Sequence, residues 1–133
     1  MAFVLDASVT LSWAFADEHD EFAFAILQRL EADQARVPLI WWFDVRNVLL
    51  VNERRQRITA ADSAGFLRML SGLSIEIDAA PDSDRVMTLG RRHRLTVYDC
   101  AYLELALRDG LPLATLDAQL AAAARREGVA VIP

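Results

Sequence analysis

Residues 95–128, LTVYDCAYLELALRDGLPLATLDAQLAAAARREG, decide the fold. Asp99 and Asp117 each stand at the start of a helical pattern, and between them lies a short apolar strand, Leu113-Ala114-Thr115-Leu116. Gly110 sits where a helix C′ residue belongs, and Pro112 cannot continue a helix. The stretch therefore predicts helix, turn, strand, helix, with an acid at each helix entrance. In an open parallel sheet, ligand chemistry gathers at the carboxyl ends of the strands, where Asp117 falls. The reading of the chain turns on whether other acids reach the same edge.

Upstream, the apolar run Ala2-Phe3-Val4-Leu5 predicts a strand buried on both faces, with Asp6 at its carboxyl end and a helix to about Phe15 behind it. A helix over 21–33 carries Phe22, Ala23, Ile26, Leu27 and Leu30 on one stripe and leaves Phe24 off it. Val37-Pro38-Leu39 predicts a second strand, with Pro38 suggesting an edge or a strand start. The helix over 41–56 places Asp44 and Asn47 on one face. Thr59 is a good N-cap for a helix over 60–73, residues 74–77 alternate as a strand, and 81–93 is helical again. The helix over 99–109 is apolar nearly all round, apart from Glu104 and Arg108. It demands burial on several sides. Gly128 then caps the last helix, and Val129-Ala130-Val131-Ile132 predicts a final strand. Strands alternating with helices argue for a parallel α/β sandwich in one domain spanning 1–133.

Composition narrows the class. Hydrophobic residues make up 54 % and charged ones 25 %, as in a globular chain with a substantial core. Cys100 is the only cysteine, so no internal disulfide forms, which fits a reducing cytosol. No apolar run approaches the ~18 residues of a membrane helix, and Asp6 interrupts the N-terminal apolar stretch, so neither a span nor a signal peptide is expected. The net charge is −5 and every basic residue but the two histidines is an arginine. Mechanisms that need a lysine are thereby excluded. Arginines cluster at Arg54, Arg55 and Arg57 and at Arg91, Arg92 and Arg94, where solvated helix ends and phosphate contacts are both open readings.

Asp6, Asp44, Asp99 and Asp117 all fall at strand ends or helix starts. Singly, each could be a helix cap or a surface residue. Together they matter more, because right-handed βαβ connections aim the strand-end acids toward one edge. Two carboxylates about 4 Å apart repel by about 4 kcal/mol at an effective dielectric near 20. A gathered set implies raised pKa values or a bound cation. All-oxygen donors select Mg²⁺ or Mn²⁺ over zinc, and His19, His93 and Cys100 have no zinc spacing. Cys100 reads as a small buried hydrophobe, since no histidine is placed to act as its base.

Ordered along the chain, Val4-Leu5-Asp6-Ala7-Ser8, Val37-Pro38 with Trp42-Phe43-Asp44-Val45-Arg46-Asn47-Val48-Leu49, Leu95-Thr96-Val97-Tyr98-Asp99-Cys100-Ala101-Tyr102 and Leu113-Ala114-Thr115-Leu116-Asp117 resemble the PIN-domain ribonucleases. Within them the chain looks like the toxin of a VapBC-type toxin–antitoxin pair. The resemblance implies a five-stranded parallel sheet flanked by helices and a Mg²⁺- or Mn²⁺-dependent endoribonuclease acting on single-stranded RNA. Asp6 and Asp99 are then the principal metal ligands, completed by Asp117 and Asp44 directly or through water. Ser8, Asn47 and Thr115 support them. One position departs: the family usually has glutamate where this chain has Asp44, whose oxygens reach roughly 1.5 Å less far.

The resemblance further implies a cytoplasmic homodimer held inactive by a VapB-type antitoxin, whose tail crosses the acidic groove. Phe24, Trp41 and Trp42 are candidate contacts for that tail or for the dimer. No direct DNA binding by this chain is expected. Two other readings compete. A phosphoacceptor enzyme also gathers acids at strand ends, but the receiver type needs a lysine, and the haloacid-dehalogenase type needs an aspartate where Ser8 stands. The stronger alternative is a catalytically weakened PIN-fold binding module, with Asp44 as its support.

Overall fold

The computed structural model describes residues 1–133. In chain order the elements are β1 (Phe3–Leu5), α1 (Ala7–Ser12), a 3-10 turn (Ala16–Glu18), α2 (Glu21–Arg29), β2 (Ala35–Pro38), α3 (Leu39–Arg54) and α4 (Ala60–Ser71). Then follow β3 (Ile75–Asp78), α5 (Ser83–His93), α6 (Val97–Asp109), β4 (Leu113–Ala114) and α7 (Ala118–Arg126). All strands are parallel, in the order β3-β2-β1-β4. The sheet therefore reverses its direction of growth between β1 and β4, and such a switch point opens a crevice at the carboxyl ends of its two strands.

The sheet has four strands rather than the expected five. Of the apolar run 129–132, only Val131 pairs, in an isolated parallel bridge to Leu113. Leu113 N–H donates to Ala130 C=O and Ile132 N–H donates to Leu113 C=O, both at 2.9 Å. β4 spans only two residues, so the ladder has little on which to continue. Pro38 also departs from expectation. It ends β2, an interior strand, and pairs with Asp78 while its carbonyl side opens α3. A proline at this handover loses no helical hydrogen bond, because the first amides of a helix have no partner anyway. The helices after β1 and over 21–29 stop at Ser12 and Arg29, short of the expected Phe15 and Asp33.

Local signals elsewhere are obeyed. Thr59 and Asp62 form a reciprocal capping box at α4. Gly110 takes φ 64° at the end of α6, the left-handed turn that glycine adopts without a steric penalty. α6 is buried along Cys100, Tyr102, Leu103, Glu104, Leu105 and Ala106, as its all-round apolarity demands. Glu104, fully buried, accepts from Arg108 Nε at 2.8 Å and from the Asp82 N–H at 3.2 Å. Arg108 in turn pairs with Asp78 at 2.7 Å, and Arg36 of β2 bridges Asp78 and Asp109. This network ties α6 to the β3 side of the sheet. On the other side, Trp41 Nε1 donates to Thr10 Oγ1 at 2.9 Å and locks α3 against α1. No helix is long and apolar enough to cross a membrane.

Candidate active site

Asp6 leaves the end of β1 and occupies the N-cap position of α1, yet its side chain caps nothing. Instead its Oδ2 accepts from Ser8 Oγ and from Thr115 Oγ1, each at 2.7 Å. The two hydroxyls are themselves held by the turn after β4. Ser8 Oγ accepts from the Leu116 N–H at 3.0 Å, and Thr115 Oγ1 accepts from the Asp117 N–H at 2.9 Å. Since β1 and β4 are neighbours with Leu5 opposite Ala114, this clasp closes across the switch point. Oδ1 of Asp6 takes neither hydroxyl.

Asp117 follows as the N-cap of α7, where Oδ1 accepts from the Gln119 and Leu120 amides at 2.8 and 3.1 Å. Its capping role is real and engages one oxygen. Asp99 lies in the first turn of α6, its amide capped by Thr96 Oγ1 at 3.1 Å. Asp44, in the second turn of α3, accepts a hydrogen bond from the Tyr102 hydroxyl at 3.3 Å. Asn47 is exposed one turn further on and bonds none of these acids.

The four carboxylates feel one another's charge. Burial pushes the Asp99 pKa up, and repulsion from Asp117, Asp6 and Asp44 pushes it further. Asp6 is raised chiefly by burial, with Asp117 adding, against the lowering pull of Ser8 and Thr115. Asp44 is raised by burial and by Asp6, offset in part by the Tyr102 bond. None of the four joins an ion pair, although Asp17, Asp33, Asp78, Glu104, Asp109 and Glu127 all do. The site is an uncompensated patch of negative charge, and a cation would relieve it.

The donor chemistry fits a hard divalent ion, because every available ligand atom is oxygen. No three acid, imidazole or thiol groups close around one point. An ion here would be bound through one or two carboxylates and would keep several waters, the coordination Mg²⁺ prefers. Cys100 is fully buried, and burial raises its thiol pKa with Asp99 adding to the rise, so it supplies no nucleophile.

Tyr102 is the participant that sequence patterning missed. It reads as core in an apolar helix, and its partner lies 58 residues away. Among the candidate contact residues, Trp41 is buried in the core, whereas Trp42 and Phe24 are exposed. Arg57 is engaged with Asp17, Glu18 and the ring of Phe15, and Arg92 with Glu127.

Comparison with known proteins places this arrangement in context. The family model described as the PIN domain matches residues 3–126. No curated protein sequence matches significantly. Among solved structures, PAE2754 from Pyrobaculum aerophilum is 22 % identical, with a TM-score of 0.74 over 92 % of this chain and 84 % of that one. A toxin–antitoxin complex from Klebsiella pneumoniae gives 17 % identity and a TM-score of 0.65, covering 90 % of each chain. VapBC2 from Rickettsia felis, bound to a DNA fragment from their promoter, gives 11 % and 0.67 over 99 % of this chain and 98 % of that one. At these identities the structural likeness is one of fold.

Proposed function

Because the chain belongs to the PIN-domain family, we propose that it is a Mg²⁺- or Mn²⁺-dependent endoribonuclease, the VapC-like toxin of a type II toxin–antitoxin pair. One observation carries the reading: carboxylates from four different elements, none with a counter-ion, act on one another's charge around Asp99. The likeness to chains of toxin–antitoxin complexes supports a VapB-type antitoxin as partner, and a cytoplasmic homodimer is the assembly in keeping with it.

A divalent cation held there would supply Lewis acidity at the phosphodiester and a bound water of lowered pKa. Asp6 and Asp99 are the residues that would hold it, with Asp117 and Asp44 acting directly or through water. The Ser8–Thr115 clasp fixes Asp6 in one rotamer and leaves Oδ1 for the ion. Tyr102 orients Asp44 from the core side. Asp44 in place of the family's usual glutamate favours a second reading, a weakened PIN module that binds without efficient cutting.

Purified protein incubated with RNA and Mn²⁺, Mg²⁺ or EDTA, beside an Asp6→Ala control, separates the two readings. The nuclease reading expects metal-dependent cutting that the control loses. Metal binding without cutting would leave the binding module.

A further inference from the structure

Two exposed side chains that flank the Thr96 cap of α6 have no partner within the molecule. Tyr98 is 61 % exposed and its hydroxyl bonds nothing, while Arg94 is exposed and stands outside the ion pairs that engage Arg29, Arg36, Arg57, Arg92 and Arg108. Their placement follows from helix geometry. Around α6, residues 98, 102 and 99 fall at 0°, about 40° and about 100°. Tyr98 and Asp99 thus straddle the direction from which Tyr102 reaches Asp44, roughly 6 Å nearer the helix entrance than Tyr102. An aromatic face is left open to solvent in the same helical turn as one of the site acids.

Arg94 leads into that entrance two residues before the Thr96 cap. Its backbone is left-handed, φ 54° and ψ 42°, at the end of α5. Glycine or asparagine takes this position with less strain, so the fold does not explain the arginine. A phosphodiester approaching four unpaired carboxylates in a chain of net charge −5 does need a cation at the rim.

We propose that Tyr98 and Arg94 grip one unpaired nucleotide beside the scissile phosphate, the ring stacking on its base and the guanidinium pairing with its phosphate. The proposal rests on the ribonuclease reading above and adds two positioning residues to it. Stacking requires an unpaired base, so the grip selects single strands over duplex.

The test uses full-length protein in an Asp6→Asn background with Mg²⁺, and fluorescence anisotropy of a labelled 12-nucleotide single-stranded RNA and of a matched duplex across a salt series. Tyr98→Ala should weaken single-strand binding on the order of five- to a hundredfold. It should leave duplex binding and the salt slope unchanged, and Tyr98→Phe should restore affinity. Arg94→Gly suits the left-handed backbone, so the fold is kept. It should reduce the slope of log affinity against log salt by about 0.7, the value for one lost phosphate contact on a single strand. If the wild-type protein cuts RNA while both variants bind as the parent does, the grip is overturned and the nuclease reading stands. If the wild-type protein neither cuts nor binds RNA, the nuclease reading falls and takes the grip with it.

Discussion

Tyr102 donates its hydroxyl hydrogen to Asp44 at 3.3 Å, joining the sixth residue of α6 to the sixth residue of α3. The phenol is almost wholly buried, and the bond opposes the burial that raises the Asp44 pKa. Tyr102→Phe fills the same space and removes only the donor. It should cost about 1 kcal/mol in urea unfolding. It should also move the acid limb of RNA cleavage to higher pH, because Asp44 ionises later without its donor.

Without metal, Asp6, Asp44 and Asp99 work against the fold once ionised. Their folded pKa values lie above the ordinary 3.8. The stability they contribute is therefore fully present below about pH 3.8 and is lost as pH rises through the raised values. In EDTA, Asp6→Asn should melt at a higher temperature than wild type at pH 7, with the difference closing as pH falls through the raised values and gone by about 3.8. Thermal melts followed by circular dichroism across that range read the sign directly.

Adding Mn²⁺ or Mg²⁺ should reverse this penalty. An ion that binds only the folded state stabilises it by about 1.4 kcal/mol at ten times its dissociation constant. The melting temperature should rise with metal in the wild type. Asp99→Asn removes the carboxylate that senses all three others, so most of that rise should disappear.

Asp44→Glu lengthens the one acid that departs from the family pattern. With a methylene more reach, the carboxylate would be better able to bind an ion held there. The Mn²⁺ concentration for half-maximal cleavage should fall severalfold, as a metal titration would show. An unchanged value would mean that the Tyr102 bond, rather than side-chain length, sets the position of this acid.

Glu104 makes a prediction about stability alone. It is fully buried, and it holds both Arg108 and the Asp82 amide. Glu104→Ala leaves Arg108 without its inner partner and should cost about 3 kcal/mol in urea unfolding. Divalent ion binding should be unaffected, since the network faces the β3 side.

Much of this was legible in the sequence, and the exceptions have physical causes. Asp6 could be found because a doubly buried strand ends on it, and Gly110 because a helix must stop before Pro112. Tyr102 and Glu104 could not be assigned, because an all-round apolar helix has no periodicity to say which polar atom meets which neighbour. The run 129–132 has the composition of a strand, but pairing depends on the length of the strand beside it, and β4 offers two residues. Pro38 marks an edge only if its missing amide would have been needed, and at the handover from β2 to α3 it is not.

The clasp around Asp6 has a consequence for the making of the protein. Its hydroxyls come from positions 8 and 115, 107 residues apart, and both lean on the backbone of the turn that follows β4. A chain emerging from the ribosome therefore carries its first acid from the outset but cannot fix it until β4 and the turn after it have been synthesised. On the nuclease reading, products truncated before that turn would carry an unfixed Asp6 and should not cut RNA.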